Sequence, residues 1–206
     1  GIAGLKELVD TVHRASDGQT RILIQIIDFL SIRRRPPKEK YFQRYFRLAK
    51  THKERMDGQY LTDDEYINAL INMPDEELEA VLDERELEAL RYGYRERVTD
   101  VGLPHIKQLP TVLPSMFADA AMRARTAGFD GVELHYAHAY TMASFLSARN
   151  TRTDGYGTSV AGRLRLPLEV FDAVRDRVGE GYTVGCRFLS EECIGGGTPL
   201  DDATQF

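Results

Sequence analysis

Three times in this chain of 206 residues, a segment with helically spaced apolar residues is followed by a short turn and then by a short apolar run. The apolar runs are RILIQIIDFL (21–30), FDGVELH (129–135) and YTVGCRFL (182–189). The first run is rich in β-branched residues and lacks clean alternation, which is typical of a strand buried on both faces of a parallel sheet. Repeated helix–strand units of this kind predict an α/β fold with adjacent parallel strands and helices on their outer face.

A long polar segment separates the first unit from the second and does not follow this rhythm. Within it, TDDE (62–65) has the pattern of a helix-capping box, Asp83 and Glu86 form a second one, and Pro74 suits the first position of a helix. We therefore predict that residues 38–109 form a helical insertion after the first strand. Because it follows that strand directly, we expect it to lie as a lid over the carboxyl ends of the strands.

Charge and cysteine content restrict the partners and the setting of the protein. A net charge of -5 disfavours general nucleic-acid binding, and no apolar run approaches the roughly 18 residues of a membrane span. Two isolated cysteines, Cys186 and Cys193, make no disulfide framework and indicate a reducing, cytoplasmic setting. The basic run RRRPPK (33–38) is either a solvated linker or a site for the anionic part of a substrate. The chain opens on Gly1, inside a helical pattern, and closes on what reads as the first turn of a helix, so we expect a fragment of a longer protein.

The sequence HYAHAY (135–140) places two histidines and a tyrosine directly after the second apolar run. His135 and His138 fit a structural pair, a metal site, or a pair of hydrogen-bond donors to a substrate carbonyl with Tyr140 as the acid. A serine hydrolase is disfavoured because the G-x-S-x-G motif is missing, and a metal site lacks companion ligands. The position favours the donor pair, since parallel α/β folds carry their sites at the carboxyl ends of the strands.

The stretch AGFDGVELHYAHAYTMASFLSARNTRTDGYGTS (127–159) resembles the signature of the old yellow enzyme family of FMN-dependent ene-reductases. Residues 5–26 and 167–192 resemble other parts of the same barrel, in the family's order. It implies a partial TIM (β/α)8 barrel with about strands three to five, carrying the helical insertion after its first strand. Residues 1–206 would then form a single incomplete FMN-binding barrel domain, since a full barrel needs about 250 residues.

The same resemblance implies an oxidoreductase that reduces activated C=C bonds of a small molecule with NADH or NADPH. His135 and His138 would bind the substrate carbonyl, and Tyr140 would donate a proton to the α carbon. Gln25 would pair with the pyrimidine edge of the flavin, and Arg187 would lie near its N1 and O2 atoms. No metal is implied. Because an incomplete barrel leaves strand edges uncovered, this chain alone is expected either to be unstable or to form a homo-oligomer, and to hold FMN poorly.

Other interpretations of these residues remain open at this point. Gln25 could be a buried structural amide, and Arg187 could pair with Glu191 or Glu192. Arg152 and Asp154 are expected to shape a loop rather than to take part in chemistry.

The chain also departs from the family pattern in three places. Asp28 stands where the family often has a histidine, Thr158 replaces the second glycine of Y-G-G-S, and Ala161-Gly162 replaces Glu-Asn. A non-catalytic remnant or interaction subunit is therefore the alternative function, and a hydrolytic metal enzyme on a barrel is a third.

Overall fold

The computed structural model describes residues 1–58, 60 and 62–206. These fall into two compact units, one of residues 1–30 with 97–206 and one of residues 31–96. In chain order the elements are α1 (Ile2–Ala15), β1 (Leu23–Ile26), α2 (Lys38–Arg44), α3 (Lys50–Arg55), α4 (Asp63–Asn72), α5 (Asp75–Val81), α6 (Glu84–Tyr92), α7 (Pro104–Lys107), α8 (Leu109–Thr126), β2 (Gly131–Tyr136), α9 (Thr141–Leu146), α10 (Val160–Val178), β3 (Thr183–Phe188) and α11 (Leu200–Ala203).

The three strands form one parallel sheet in the order β1-β2-β3. In the register, Glu133 of β2 lies between Gln25 of β1 and Gly185 of β3, and His135 pairs with Arg187. The prediction of three adjacent parallel strands is confirmed.

One face of the sheet is covered by α8 and α10, which also pack against each other. Val132 and Leu134 of β2 are fully buried there, together with Phe117 of α8 and Val170 of α10. Burial of a side chain of this size contributes about 1.5–3 kcal/mol, so this layer is the main core of the first unit.

The prediction that the first apolar run is buried on both faces is wrong. Strand β1 covers only Leu23–Ile26 of the predicted 21–30, and its side chains alternate between half-buried and exposed. On the face opposite α8 and α10, Leu23 of β1 is 45% exposed, whereas His135 of β2 is buried. The polar residues of all three strands project from this side, which we call the open face.

The unit of residues 31–96 contains α2 to α6 around its own apolar core, which includes Tyr41, Phe42, Tyr66, Leu70 and Leu78. Both predicted capping boxes are present. The Thr62 hydroxyl accepts from the Glu65 amide at 3.3 Å, and the Asp83 carboxylate accepts from the Glu86 amide at 2.8 Å. Pro74 is the N-cap of α5 rather than its first residue.

The bounds of this unit differ from the predicted insertion, residues 38–109. Residues 97–109 belong to the first unit, since the buried Arg152 side chain donates to the carbonyl oxygens of Val98 and Ile106 at 2.7 and 3.2 Å. The described residues thus fall into these two compact units, and the single incomplete barrel domain with an insertion stays a prediction. The lid role of the insertion stays a prediction.

The two ends of the second unit meet. The Arg33 amide donates to the Tyr94 carbonyl at 2.8 Å, and the Glu96 amide donates to the Ser31 carbonyl at 3.0 Å. Gly93 adopts φ of +97°, and a Cβ atom there would lie 2.4 Å from the Arg33 carbonyl oxygen, so no larger residue fits this crossing.

The basic run at the start of this unit is partly fixed rather than fully solvated. The Arg33 guanidinium lies over the rings of Tyr45 and Tyr94, 5.5 and 5.1 Å from their centroids. Such cation–π contacts hold the side chain against the unit, while Arg34 and Arg35 are exposed. A role of this run in binding an anion stays a prediction.

Asp130 joins the amino-terminal ends of β1 and β2 to α1. Its carboxylate accepts from the Ile22 amide (2.8 Å), from His13 Nε2 (2.8 Å) and from Arg21 (3.0 Å). These donors, the backbone amide first, lower the pKa of Asp130 to about 2.

We expect the Asp130 carboxylate to make the free energy of unfolding depend on pH in the acid range. Because its folded pKa lies below the unfolded value of about 3.9, its contribution is full above pH 4 and is lost as the pH falls toward 2. Asp130→Asn should therefore cost about 2 kcal/mol at pH 7 and progressively less at lower pH. Urea unfolding from pH 7 to pH 2.5 measures this, with the surface variant Asp119→Asn as control. An equal cost at both ends of the range would contradict the ionic role.

Within the part of the chain that the structure describes, no helix combines the length and apolarity needed to cross a bilayer.

Candidate active site

The HYAHAY segment begins inside β2 and ends at the start of α9. His135 belongs to the strand, and Tyr140 is the N-cap of α9. Between them, His138 and Ala139 adopt left-handed backbone conformations with φ of +59° and +56°. Such conformations are disfavoured for residues other than glycine by roughly 1 kcal/mol or more each, and strain of this kind clusters at functional sites. The tight turn places Tyr140 beside the end of the strand.

The structure brings the three predicted catalytic side chains together. The ring centroids of His135 and His138 are 5.0 Å apart, and those of His135 and Tyr140 are 5.7 Å apart. His135 is 3% exposed and Tyr140 is 37% exposed, so the tyrosine lies at the accessible side of the group. Phe29, which follows β1, packs against the Tyr140 ring at 6.2 Å.

The two histidine rings are hydrogen-bonded to each other, so they do not both point at a single ligand position. His138 Nδ1 lies 3.2 Å from His135 Nε2. Burial first, then the neighbouring His138 and Arg187, lowers the pKa of His135, so its ring is neutral at neutral pH. A neutral imidazole has one donor and one acceptor nitrogen. In the tautomer in which His135 Nε2 donates to His138 Nδ1, the Nε2–H of His138 is free for a ligand.

Gln25, Glu133 and Arg187 form a row across the open face. One oxygen of Glu133 accepts both from Gln25 Nε2 at 2.5 Å and from Arg187 Nε at 2.7 Å. His135 follows Glu133 by two residues on the same strand, so both point to this face. The predicted flavin-binding and substrate-binding residues therefore lie on one side of the sheet.

Glu133 is the one member of this row that the sequence analysis missed. The signal was present, because Glu133 and His135 are polar at alternate positions of a strand whose other residues are apolar. The Arg187 hydrogen bond first, then that of Gln25, lowers the pKa of Glu133, which keeps it ionised.

Two alternative interpretations of this row are wrong. Arg187 pairs with Glu133 and not with Glu191 or Glu192, because only Glu133 shares its face of the sheet. Gln25 is exposed and is not a buried structural amide.

The donor set of the open face fits the pyrimidine edge of a flavin. Such an edge alternates hydrogen-bond donors and acceptors, and an amide beside a guanidinium matches it. Both side chains are accessible, with Arg187 52% exposed, and they converge on a single point, the Glu133 oxygen. His135 Nδ1 is buried and has no partner among the described residues, which leaves a polar position for a ligand.

No group of three or more His, Cys, Asp or Glu side chains is arranged to hold a metal ion in residues 1–58, 60 and 62–206.

Asn150 and Arg152 hold the loop after α9. For Arg152 this agrees with the expectation that it shapes the loop. The Asn150 side-chain amide donates to the carbonyl oxygens of Phe145 and Tyr156 at 2.9 and 2.7 Å. Arg152 pairs with Asp154. These bonds order the segment behind the HYAHAY turn.

Thr158 has a left-handed backbone conformation. Its φ is +63°, and its hydroxyl donates to the Gly157 carbonyl at 2.7 Å. A β-branched residue is rarely found with this φ, so this loop carries local strain.

The fold is a parallel α/β sheet with a histidine pair and a tyrosine at the end of its central strand. This arrangement is a candidate oxidoreductase site on an α/β fold. A sequence model of the NADH:flavin oxidoreductase / NADH oxidase family matches residues 105–206. The chain belongs, through these residues, to that family, and the resemblance of its signature is confirmed.

Individual relatives agree with this assignment. The NADH oxidase of Thermoanaerobacter brockii is 46% identical over 90 residues, which are 43% of this chain and 14% of that protein. The 12-oxophytodienoate reductase 1 of Oryza sativa subsp. japonica is 44% identical over 81 residues, or 39% of this chain and 21% of that protein. A solved structure of morphinone reductase in complex with tetrahydroNAD is 40% identical, covers 45% of this chain and 25% of that one, and has a TM-score of 0.40. The matched part of the chain therefore spans about a quarter or less of each of these proteins.

Proposed function

We propose that the protein carrying this chain binds FMN and uses NADH or NADPH to reduce an activated C=C bond of a small molecule. The observation that carries this proposal is that His135, whose ring contacts those of His138 and Tyr140, shares one face of a parallel sheet with Gln25 and Arg187. The family is one of NADH-linked flavin oxidoreductases, and the name of the rice relative denotes a reductase of an unsaturated oxo acid. We also propose that the sheet is about strands three to five of a (β/α)8 barrel.

Gln25 and Arg187 would hold the pyrimidine edge of the flavin. The Gln25 amide supplies a donor and an acceptor, and the fixed charge of Arg187 favours an anionic ring. Glu133 aligns both side chains by accepting from Arg187 Nε and Nη2, and Arg187 Nη1 would donate to the flavin. FMN, when bound, supplies the hydride that reduces the alkene.

His138 would donate a hydrogen bond to the carbonyl oxygen of the substrate, where negative charge grows during the reaction. His135 positions the His138 ring through the 3.2 Å contact between them. The His135 and His138 rings can both donate to the substrate carbonyl oxygen only if the hydrogen bond between the two rings is broken. Tyr140 would give its phenolic proton to the α carbon.

The proposal predicts that Arg187→Ala weakens FMN binding. Loss of a charge-assisted hydrogen bond should lower the affinity by about tenfold to a hundredfold. Titration of FMN into the apo form of the full-length protein, followed by flavin fluorescence, measures it. Arg177→Ala is the matched control, because Arg177 is also half exposed and pairs with Asp119 on the helical side.

Enone-dependent oxidation of NADH by the same preparation then tests the reaction. Tight FMN binding without turnover of any enone would favour a non-catalytic remnant or interaction subunit. No FMN binding, or equal FMN affinity in both arginine variants, would contradict the proposed site.

A further inference from the structure

Asp28 follows β1 and carries a buried carboxylate oxygen, Oδ2, that has no hydrogen-bond partner among the described residues. Its own backbone carbonyl accepts from the Thr141 amide at 3.3 Å. This bond ties the segment after β1 to the first residue of α9, directly after Tyr140. Asp28 is therefore part of the wall of the candidate active site.

Two further observations place ligand-binding capacity at the same point. The Thr141 side chain is also buried, with Thr141 2% exposed, and its hydroxyl has no hydrogen-bond partner among the described residues. The neighbours of both residues, Phe29 and Tyr140, have their rings in contact. Two adjacent chain segments thus present two unsatisfied polar groups beside the proposed proton donor.

Asp28 as a whole is half-buried, and Oδ2 is its buried oxygen. An unsatisfied buried polar atom is costly. A carboxylate oxygen accepts hydrogen bonds, so the partner that Asp28 Oδ2 lacks is a donor, and a cationic donor satisfies it best. Arg187 is engaged with Glu133 on the open face. The missing donor therefore fits a group on the ligand.

We propose that Asp28 is a specificity-determining residue that selects substrates carrying a protonated amine near the reducible bond and disfavours substrates carrying a carboxylate there. Thr141 would accept a second hydrogen bond from the same ammonium group. This inference rests on the proposed function, because it assigns the substrate class of the same site.

The test uses three cyclohexenones that carry a methyl, an aminomethyl or a carboxylate group at the same ring carbon. Calorimetry with the oxidised full-length protein gives the Kd of each, and NADH-dependent turnover gives kcat/KM. The unsubstituted protein should bind the aminomethyl compound about tenfold to a hundredfold more tightly than the methyl compound, and the carboxylate compound most weakly.

The isosteric variant Asp28→Asn should remove most of this preference while the Kd of the methyl compound changes little. Asp17→Asn removes the same charge from an exposed turn before β1 and should leave the preference intact. Thermal melting of each variant checks that it is folded.

The outcomes separate this inference from the proposed function. Reduction of all three compounds with similar Kd values would overturn the role of Asp28 and leave the proposed function standing. Preferential binding of the aminomethyl compound without reduction of any enone would support Asp28 and overturn the proposed reaction. Tighter binding of the carboxylate compound, or an unchanged preference in Asp28→Asn, would overturn the inference.

Discussion

His138→Ala should slow the reduction of an enone by about a hundredfold or more, because it removes the donor that we propose faces the developing negative charge. The same substitution should leave reduction of the protein by NADH near its normal rate, since that half-reaction involves no enone carbonyl. Stopped-flow absorbance of the flavin measures the two half-reactions separately. Binding of phenols to the oxidised protein should weaken in parallel, because a phenolate oxygen uses the same donor.

The left-handed backbone of His138 calls for a second variant. Alanine is disfavoured at φ of +59°, whereas asparagine tolerates this conformation and has a side-chain amide that can donate. His138→Asn should therefore recover part of the lost rate. Equal losses in both variants, together with lowered melting temperatures, would indicate a structural role for the histidine pair.

Tyr140→Phe is the matched variant for the proton donor. It retains the ring that packs on Phe29 and removes only the hydroxyl group. Reoxidation by an enone should slow, unless water reaches the α carbon, and reduction by NADH should not change. Equal slowing of both half-reactions would remove the acid role from Tyr140.

Arg152→Ala should lower the free energy of unfolding by about 3–5 kcal/mol, the usual cost of removing one partner from a buried charged network. The Arg152 side chain is 0% exposed and donates to the carbonyl oxygens of Val98 and Ile106, which would be left buried without their donor. Urea denaturation followed by circular dichroism measures the change. Arg149→Ala is the control, because Arg149 is exposed in the same loop and should cost no more than about 0.5 kcal/mol. A small effect of Arg152→Ala would show that the loop is held by other contacts.

The elements of this fold were predictable where local pattern decides them. The capping residues Thr62 and Asp83 act on amides three positions away, so the sequence alone locates the starts of α4 and α6. The parallel sheet was predictable for a similar reason, since each strand follows a helix and a short turn.

The contacts across the strands were not predictable in the same way. The partner of Arg187 depends on the register between β2 and β3, and no local pattern identifies Glu133 as the acceptor. The contact between the His135 and His138 rings depends on the left-handed turn after β2, which a sequence of non-glycine residues disfavours. The resemblance located these side chains, and tertiary structure decides which of them touch.

The meeting of Ser31 with Glu96 has a consequence for how the chain reaches its fold. β1 and β2 pair although the whole helical unit lies between them in the chain, and closing so long a loop costs conformational entropy. If the helical unit folds first, its ends are already joined. The effective loop between β1 and β2 then consists only of the few residues before position 31 and the stretch after position 96. Since each doubling of loop length costs about 0.6 kcal/mol, this order of events saves about 1 kcal/mol on pairing the strands. A segment whose ends lie side by side can also be gained or lost between two strands without changing their register.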